Sequence, residues 1–262
     1  MRRLLKIYKD IKEVKIQGAT NIAREAIKAY YMKPDKKNKN ELINLRPTEP
    51  MLFNAINLVD KWPRGKIIKH FEEAQNKINK EVLKIIRNNY IIYTHCHSTN
   101  VIKALIYAKK KGRKFEVYNT ETRPLYQGRI TAKELSNEKI KVTTFVDSGA
   151  HEAIKNCDII MLGADAVLTS GVINKIGSAG IAEISFIHKK PVYIVADSWK
   201  HFSKKVYIEE RDFHEVWLRA PEKIKIRNPS FEKIERKYIK KIISEYGILN
   251  YSDFLKKAEK FP

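Results

Sequence analysis

The sequence predicts an α/β protein in which a helical N-terminal domain, residues 1–88, precedes a Rossmann-like parallel-sheet domain, residues 89–262. Three observations point there. As far as about residue 87, apolar residues recur at steps of three and four, the helix period. From Tyr90 onward, short apolar runs alternate with amphipathic segments, as βαβ units do. Each of those runs then ends in small or polar residues, where open parallel sheets place their ligands.

Ile11, Val14, Ile22, Ala23, Ala26, Ile27 and Tyr30 trace the first helical face, interrupted near Gly18. A charged linker, KPDKKNKNE from Lys33 to Glu41, follows. A second helix starts at a Pro-bracketed signal with Thr48 as cap and runs to Trp62, where Pro63 and Gly65 stop it. A third spans Lys66 to Arg87. The strands expected are Tyr90–Tyr93, Phe115–Asn119, Lys141–Val146, Ile159–Leu162 and Val192–Val195. Helices are expected at Val101–Lys110, Thr131–Glu138, Ala150–Asn156 and Ile181–His188, with Gly112 closing the first of them. Residues 229–262 read as a helix to Tyr246, a stop at Gly247 and a short final helix.

A chain of 262 residues, 43% hydrophobic, can bury a full core. No run approaches the roughly 20 apolar residues of a membrane span, and the first residues lack a secretory apolar core. A cytoplasmic protein without membrane contact is expected, and its two cysteines should be thiols. The excess of 52 Lys and Arg over 30 Asp and Glu suits either a phosphate backbone or a small phosphorylated substrate. The basic residues are spread out and no nucleic-acid-binding signature accompanies them, so a nucleic-acid partner is not expected.

Strand ends supply the candidate chemistry. Cys96 sits in THCHSTN between a strand and a helix, where helix amides favour a thiolate; the plainer alternative is a packed small hydrophobe. His95 and His97 flank it, but no second cluster has metal-ligand spacing. After the second strand, Thr120, Glu121, Arg123 and Gln127 crowd one loop, where Arg123 either grips phosphate or pairs with Glu121 or Glu134. The third strand ends at Asp147 or Ser148, read as helix caps. The fourth runs into Asp165, followed by Asn174, Lys175, Gly177, Ser178 and Gly180 before a helical segment, a candidate anion-binding turn or an ordinary capped one. Asp197 and Lys200 close the last strand. This set suits a phosphorylated polar metabolite better than a dinucleotide, since no G-x-G-x-x-G follows the first strand.

THCHS, TETRPxxQGxxTAKEL, VDSxA, GAD with a following NKIG, and NPxF, spread over most of Tyr90 to Phe231, resemble archaeal ribose-1,5-bisphosphate isomerase. Its superfamily includes methylthioribose-1-phosphate isomerase and the α, β and δ regulatory subunits of initiation factor 2B. The resemblance implies that Cys96 assists ring opening by proton transfer while Asp165 moves protons at the first two carbons, giving ribulose 1,5-bisphosphate. It places Arg123, Asn174, Lys175 and Lys200 on substrate oxygens or phosphate, together with Gly18 and the turn at Gln17. It implies no metal or organic cofactor, activation by AMP within AMP degradation, and a homo-oligomer built from dimers, a hexamer.

One departure stands out. Where catalytic relatives carry an Arg-Gly-Ala phosphate turn, this chain has Gln17, Gly18, Ala19. The lost guanidinium contact is worth about 1.5–3 kcal/mol, so either Arg24 or Arg46 compensates or the substrate differs. The C-terminal motif also diverges, with no Thr-Pro before FEKIERKYI. Two alternatives follow: methylthioribose-1-phosphate isomerase, disfavoured by His97, Ser98 and Thr99 after the cysteine, and a non-catalytic regulatory protein, disfavoured because both Cys96 and Asp165 are present.

Overall fold

A computed structural model describes residues 2–13, 15–16, 18–46, 49–204 and 206–260. Five helices lead: α1 (Arg2–Lys12), α2 (Ala19–Met32), α3 (Lys36–Leu45), α4 (Pro50–Asn57) and α5 (Arg64–Ile85). The break expected near Gly18 separates α1 from α2, and Gly18 has φ +83°, where a side chain would be strained. The stretch predicted as a charged linker is instead mostly α3. Asp35 caps it by accepting from the Asn38 amide at 2.7 Å. Leu42 is its one buried apolar residue, too little for a periodic signal. Thr48, the expected cap of the next helix, lies outside the described residues.

The remaining elements alternate: β1 (Tyr90–Thr94), α6 (Thr99–Lys110), β2 (Phe115–Thr120), α7 (Gln127–Asn137), β3 (Lys141–Phe145), α8 (Ala150–Lys155), β4 (Ile159–Leu162), β5 (Ala166–Leu168), β6 (Gly171–Lys175), α9 (Ser178–Ile187) and β7 (Val192–Val195). Then come β8 (Phe231–Glu235), β9 (Ile239–Ser244), β10 (Gly247–Leu249) and α10 (Tyr251–Ala258). The main sheet has seven strands in the order β10-β9-β7-β4-β1-β2-β3, parallel except where β10 doubles back on β9. All four residues of β4 are buried, as its unbroken apolar run predicts for a strand covered on both faces. Gly112 ends α6 as expected: its amide bonds the Lys109 carbonyl and that of Arg113 bonds Ala108, with Gly112 at φ +87°.

The five predicted strands are present, and five more escaped prediction. The largest correction is the tail, where β8, β9 and β10 replace the helix expected to reach Tyr246. Ile239, Ile242 and Ile243 stand at helix-compatible steps. What decides the outcome is the open edge of β7: β9 pairs with it, burying Ile242, Ile243 and Ser244. Strands β5, β6 and β8 form a separate antiparallel sheet that carries the region just after β4.

The helical and sheet regions share their cores. Ile78, Val82 and Ile86 pack with β1, β2 and α6 residues, while Trp199, from the turn after β7, joins the core of α1 to α5. The Trp199 ring stacks on His70 of α5 at 3.7 Å, nearly parallel. His70 Nε2 donates to the Asp197 carboxylate at 3.1 Å, and Asn54 of α4 donates to the carbonyls of Trp199 and His201.

Two outcomes are expected from these contacts. A Cβ at Gly128, at the start of α7, would lie 1.8 Å from the Thr120 carbonyl oxygen. Gly128→Ala therefore forces β2 and α7 apart and should lower unfolding free energy by about 3 kcal/mol, read by denaturant titration. Burial draws the His70 pKa down, but the Asp197 carboxylate outweighs it and holds the imidazole above its ordinary value. A raised folded pKa contributes stability that is fully present below the unfolded value and is lost as pH rises through the folded one. Thermal stability should thus fall from pH 6 upward, and the fall should be smaller in His70→Gln; an unchanged slope would remove the His70–Asp197 contact as its source.

Candidate active site

One pocket opens at the carboxyl edge of the main sheet, with a volume of about 820 Å³ including its mouth. Its walls come from the turn before α2, the segment before α4, the ends of β1, β4, β6 and β7, and Phe231 of β8. Cys96, Asp165, Asn174, Lys175, Lys200, Gly18 and Arg46 all line it. Gln17 lies outside the described residues.

Cys96 follows β1 with φ +65°, a left-handed backbone that costs an ordinary residue about 1–2 kcal/mol. Two threonines hold it there: the Cys96 amide donates to Thr122 Oγ1 at 3.0 Å, and Thr131 Oγ1 donates to its carbonyl at 2.7 Å. Beneath it His95 is buried, donating from Nε2 to the Ile176 carbonyl at 2.9 Å while Nδ1 accepts from Thr120 Oγ1 at 2.7 Å. Burial lowers its pKa and keeps it neutral. Gly177 permits this contact, since a Cβ there would meet the His95 ring at 3.1 Å.

The thiolate expectation needs correction. Burial pushes the Cys96 thiol up to about 11 against the pull of Lys175 and the His97 amide. Helix α6 begins only at Thr99, so Cys96 stands before its first turn. The thiol is a proton donor at neutral pH.

Asp165 reaches the pocket because Gly163 lets β4 pass close to the cysteine loop; a Cβ there would sit 2.4 Å from Ser98 Oγ. Its amide donates to the Ile173 carbonyl at 2.9 Å, so β6 fixes its backbone. Burial raises the Asp165 pKa, opposed by Lys200, Lys175 and Arg46 in that order. A carboxylate of raised basicity amid three cations suits proton abstraction from carbon.

The cations are themselves positioned. Lys200 is 4% exposed and donates to Asn100 Oδ1 at 2.8 Å; burial lowers its pKa, with Asp165 opposing. Asn174 donates to Ser178 Oγ at 2.9 Å, which donates to the Lys175 carbonyl at 2.6 Å, fixing the turn before α9. Arg46 is 7% exposed, and its Nε and Nη1 have no partner among the described residues. Of the two arginines expected as substitutes for the one absent at Gln17, Arg46 lines the pocket. Arg24 faces away from the pocket, toward Glu72 at 3.4 Å and the Phe71 ring.

Arg123 is not brought to this pocket. Its guanidinium donates to the Tyr126 hydroxyl and the Val216 carbonyl, each at 2.8 Å; of the two carboxylates expected as its partners, Glu121 pairs with Arg129 and Glu134 lies 3.8 Å from His97. Asp147 and the turn before Arg123 aim it elsewhere: Asp147 accepts from the Thr122 and Arg123 amides at 2.9 and 2.6 Å. Gln127, four residues on, lines the pocket instead, with its buried Oε1 unpartnered. Glu49, Arg211 and Ser230 also line it and were missed. Glu49 reads as part of a helix start, while Arg211 and Ser230 lie in a stretch without periodicity. The candidate metal ligands among the described residues, His70, Asp197 and Glu245, place ligand atoms within 4.8 Å of one another, and none of them lines the pocket.

The thiol state has a direct check. Alkylation of Cys96 by iodoacetamide, followed by mass spectrometry, should be slow at pH 7.5 and still accelerating at pH 10. A plateau below pH 8 would contradict a protonated thiol.

Known proteins align with this architecture. The chain is 33% identical to ribose 1,5-bisphosphate isomerase of Archaeoglobus fulgidus, covering 95% of this chain and 90% of the relative. It is 35% identical to the ribose 1,5-bisphosphate isomerase of Methanocaldococcus jannaschii, covering 92% and 90%. Among solved structures, Pyrococcus horikoshii OT3 translation initiation factor eIF-2B superposes with a TM-score of 0.86 at 24% identity, covering 95% of this chain and 98% of that one. The 5-methylthioribose 1-phosphate isomerase of the same organism gives 0.80 at 23%, covering 99% and 88%. These two likenesses establish the fold. The model of the Initiation factor 2 subunit family matches residues 15–251, and with relatives at this identity over nearly the whole chain, the protein belongs to that family.

Proposed function

We propose that the protein is a ribose 1,5-bisphosphate isomerase, producing ribulose 1,5-bisphosphate by acid–base catalysis with Cys96 and Asp165. The observation that carries the reading is a protonated thiol and a carboxylate of raised basicity in one cation-lined pocket, in a chain a third identical to enzymes of that name. Arg46, Lys175 and Lys200 supply positive charge for two phosphates.

The proton inventory closes with these two groups. Asp165 takes the C2 proton while Cys96 protonates the ring oxygen, so the C1–O bond breaks and a 1-phosphate enol forms. Asp165 then returns its proton to C1 as the enol hydroxyl gives its own to the Cys96 thiolate, leaving a ketone at C2. Both side chains end as they began. The cations hold the phosphates through both steps, and Asn174 and Gln127, which line the pocket, hold sugar hydroxyls.

The same proposal includes a homo-oligomer built from dimers, activation by AMP and a cytoplasmic location. A solved neighbour at 17% identity is a tetrameric eIF2B-beta2-delta2 complex from C. thermophilum, and among the described residues no helix is long and apolar enough to cross a membrane.

Purified protein should convert ribose 1,5-bisphosphate to ribulose 1,5-bisphosphate, followed by phosphorus and carbon NMR. Cys96→Ser and Asp165→Asn should each lower kcat by about 10²–10⁴-fold, the usual worth of a positioned acid or base, with unchanged circular dichroism. Full activity in both variants would end the mechanism. Binding to an initiation factor without turnover of any pentose phosphate would favour the regulatory alternative.

A further inference from the structure

Glu49 precedes α4, yet its side chain makes no capping bond there. It turns into the pocket instead, 3% exposed, with Oε1 at 3.3 Å from Arg46 Nη2 and Oε2 unpartnered. Arg46 Nη2 is also 3.4 Å from Glu209. One nitrogen of the guanidinium thus serves two carboxyls, while its buried Nε and Nη1 have no partner among the described residues. Nη1, beside the nitrogen that meets Glu49 and facing the opposite side of the guanidinium from the Nε–H, is the donor left for a phosphate oxygen. A phosphate bound there lies beside Glu49, and an ionised Glu49 would repel it.

We propose that Glu49 contacts the substrate as an acid: it keeps its proton in the loaded pocket and donates it from Oε2, as a hydrogen bond, to a phosphate held by Arg46 Nη1. The arrangement satisfies two buried orphan atoms together, Arg46 Nη1 and Glu49 Oε2. It rests on the isomerase reading only for the ester that carries the phosphate.

The charged groups facing Glu49 from each packed segment support a retained proton. Burial first, then the Asp165 charge at the end of β4 and Glu209 in the loop after β7, push the carboxyl up to about 8. Arg46 and Lys200 oppose them. Below that value the proton is in place; above it, phosphate binding must draw a proton from solvent. Lys200, whose own pKa burial lowers, is the other group whose protonation phosphate binding could change. Cys96 stays protonated well beyond it.

The test measures proton uptake. Inorganic phosphate is titrated into the intact protein by calorimetry at pH 9, in two buffers of unlike ionisation enthalpy, where the free phosphate is already a dianion. Wild type should take up close to one proton per phosphate, and Glu49→Gln, whose amide donates without titrating, should take up none. With ribose 1,5-bisphosphate, the wild-type KM should climb above pH 8, approaching about tenfold per pH unit, and the Glu49→Gln KM should stay flat. No uptake by wild type overturns the proposal without any variant. Equal uptake by wild type and Glu49→Gln assigns the proton to Lys200 and overturns it as well. Phosphate-linked uptake without any turnover would defeat the isomerase reading and leave the role of Glu49 standing; turnover without such uptake would do the reverse.

Discussion

The three-residue turn Ser198–Lys200 after β7 is where the molecule's separate demands meet. Burying an ammonium group is costly unless it is held and compensated, and Lys200 answers this by donating to Asn100, which lies in a buried amide chain with Gln75 and Asn79. The residue before it, Trp199, fills the core of the N-terminal helices. Asp197 caps the turn by accepting the Trp199 amide at 2.8 Å and also clasps His70. The pocket's deepest cation, the helical core and the contact between the helices and the sheet are thus fixed by four consecutive residues. A shift in any one of them displaces the other two functions.

The same logic explains what was legible in the sequence. Strands β1, β4 and β7 announce themselves because a strand covered on both faces is a short, unbroken apolar run, and the residues after it fall at the ligand edge by topology alone. Cys96, Asp165 and Lys200 were found this way. The short strands β5 and β6 were not: β5 has only three residues, and β6 reads Gly-Val-Ile-Asn-Lys, its two apolar residues set among turn and polar ones, although β6 is what fixes the backbone of Asp165. Strand β9 was misread because its isoleucines fit a helix, and only the open edge of β7 settles the matter. Arg123 and Gln127 show the limit within one loop: both are polar and neighbouring, and which one enters the pocket is decided by Asp147, a residue that reads as nothing more than a cap.

Electrostatics adds a layer that spacing does not convey. A thiol near a helix start reads as acidic, yet enclosure outweighs the nearby lysine and leaves it a weak acid. Asp165 and Glu49 move in the same direction for the same reason. The pocket therefore holds three weak acids among cations, a set whose protonation is set by exclusion of water and only trimmed by neighbouring charge.

Trp199 has a consequence for synthesis. The helices it completes are made first, yet the indole that fills their centre is added well over a hundred residues later, after β7. Helices α1 to α5 leave the ribosome with a gap at their core, and packing there cannot finish until most of the sheet's strands exist. The N-terminal region is thus held open during translation and locked by a late residue. The first third of the chain has to wait for the last third before it becomes a finished structure.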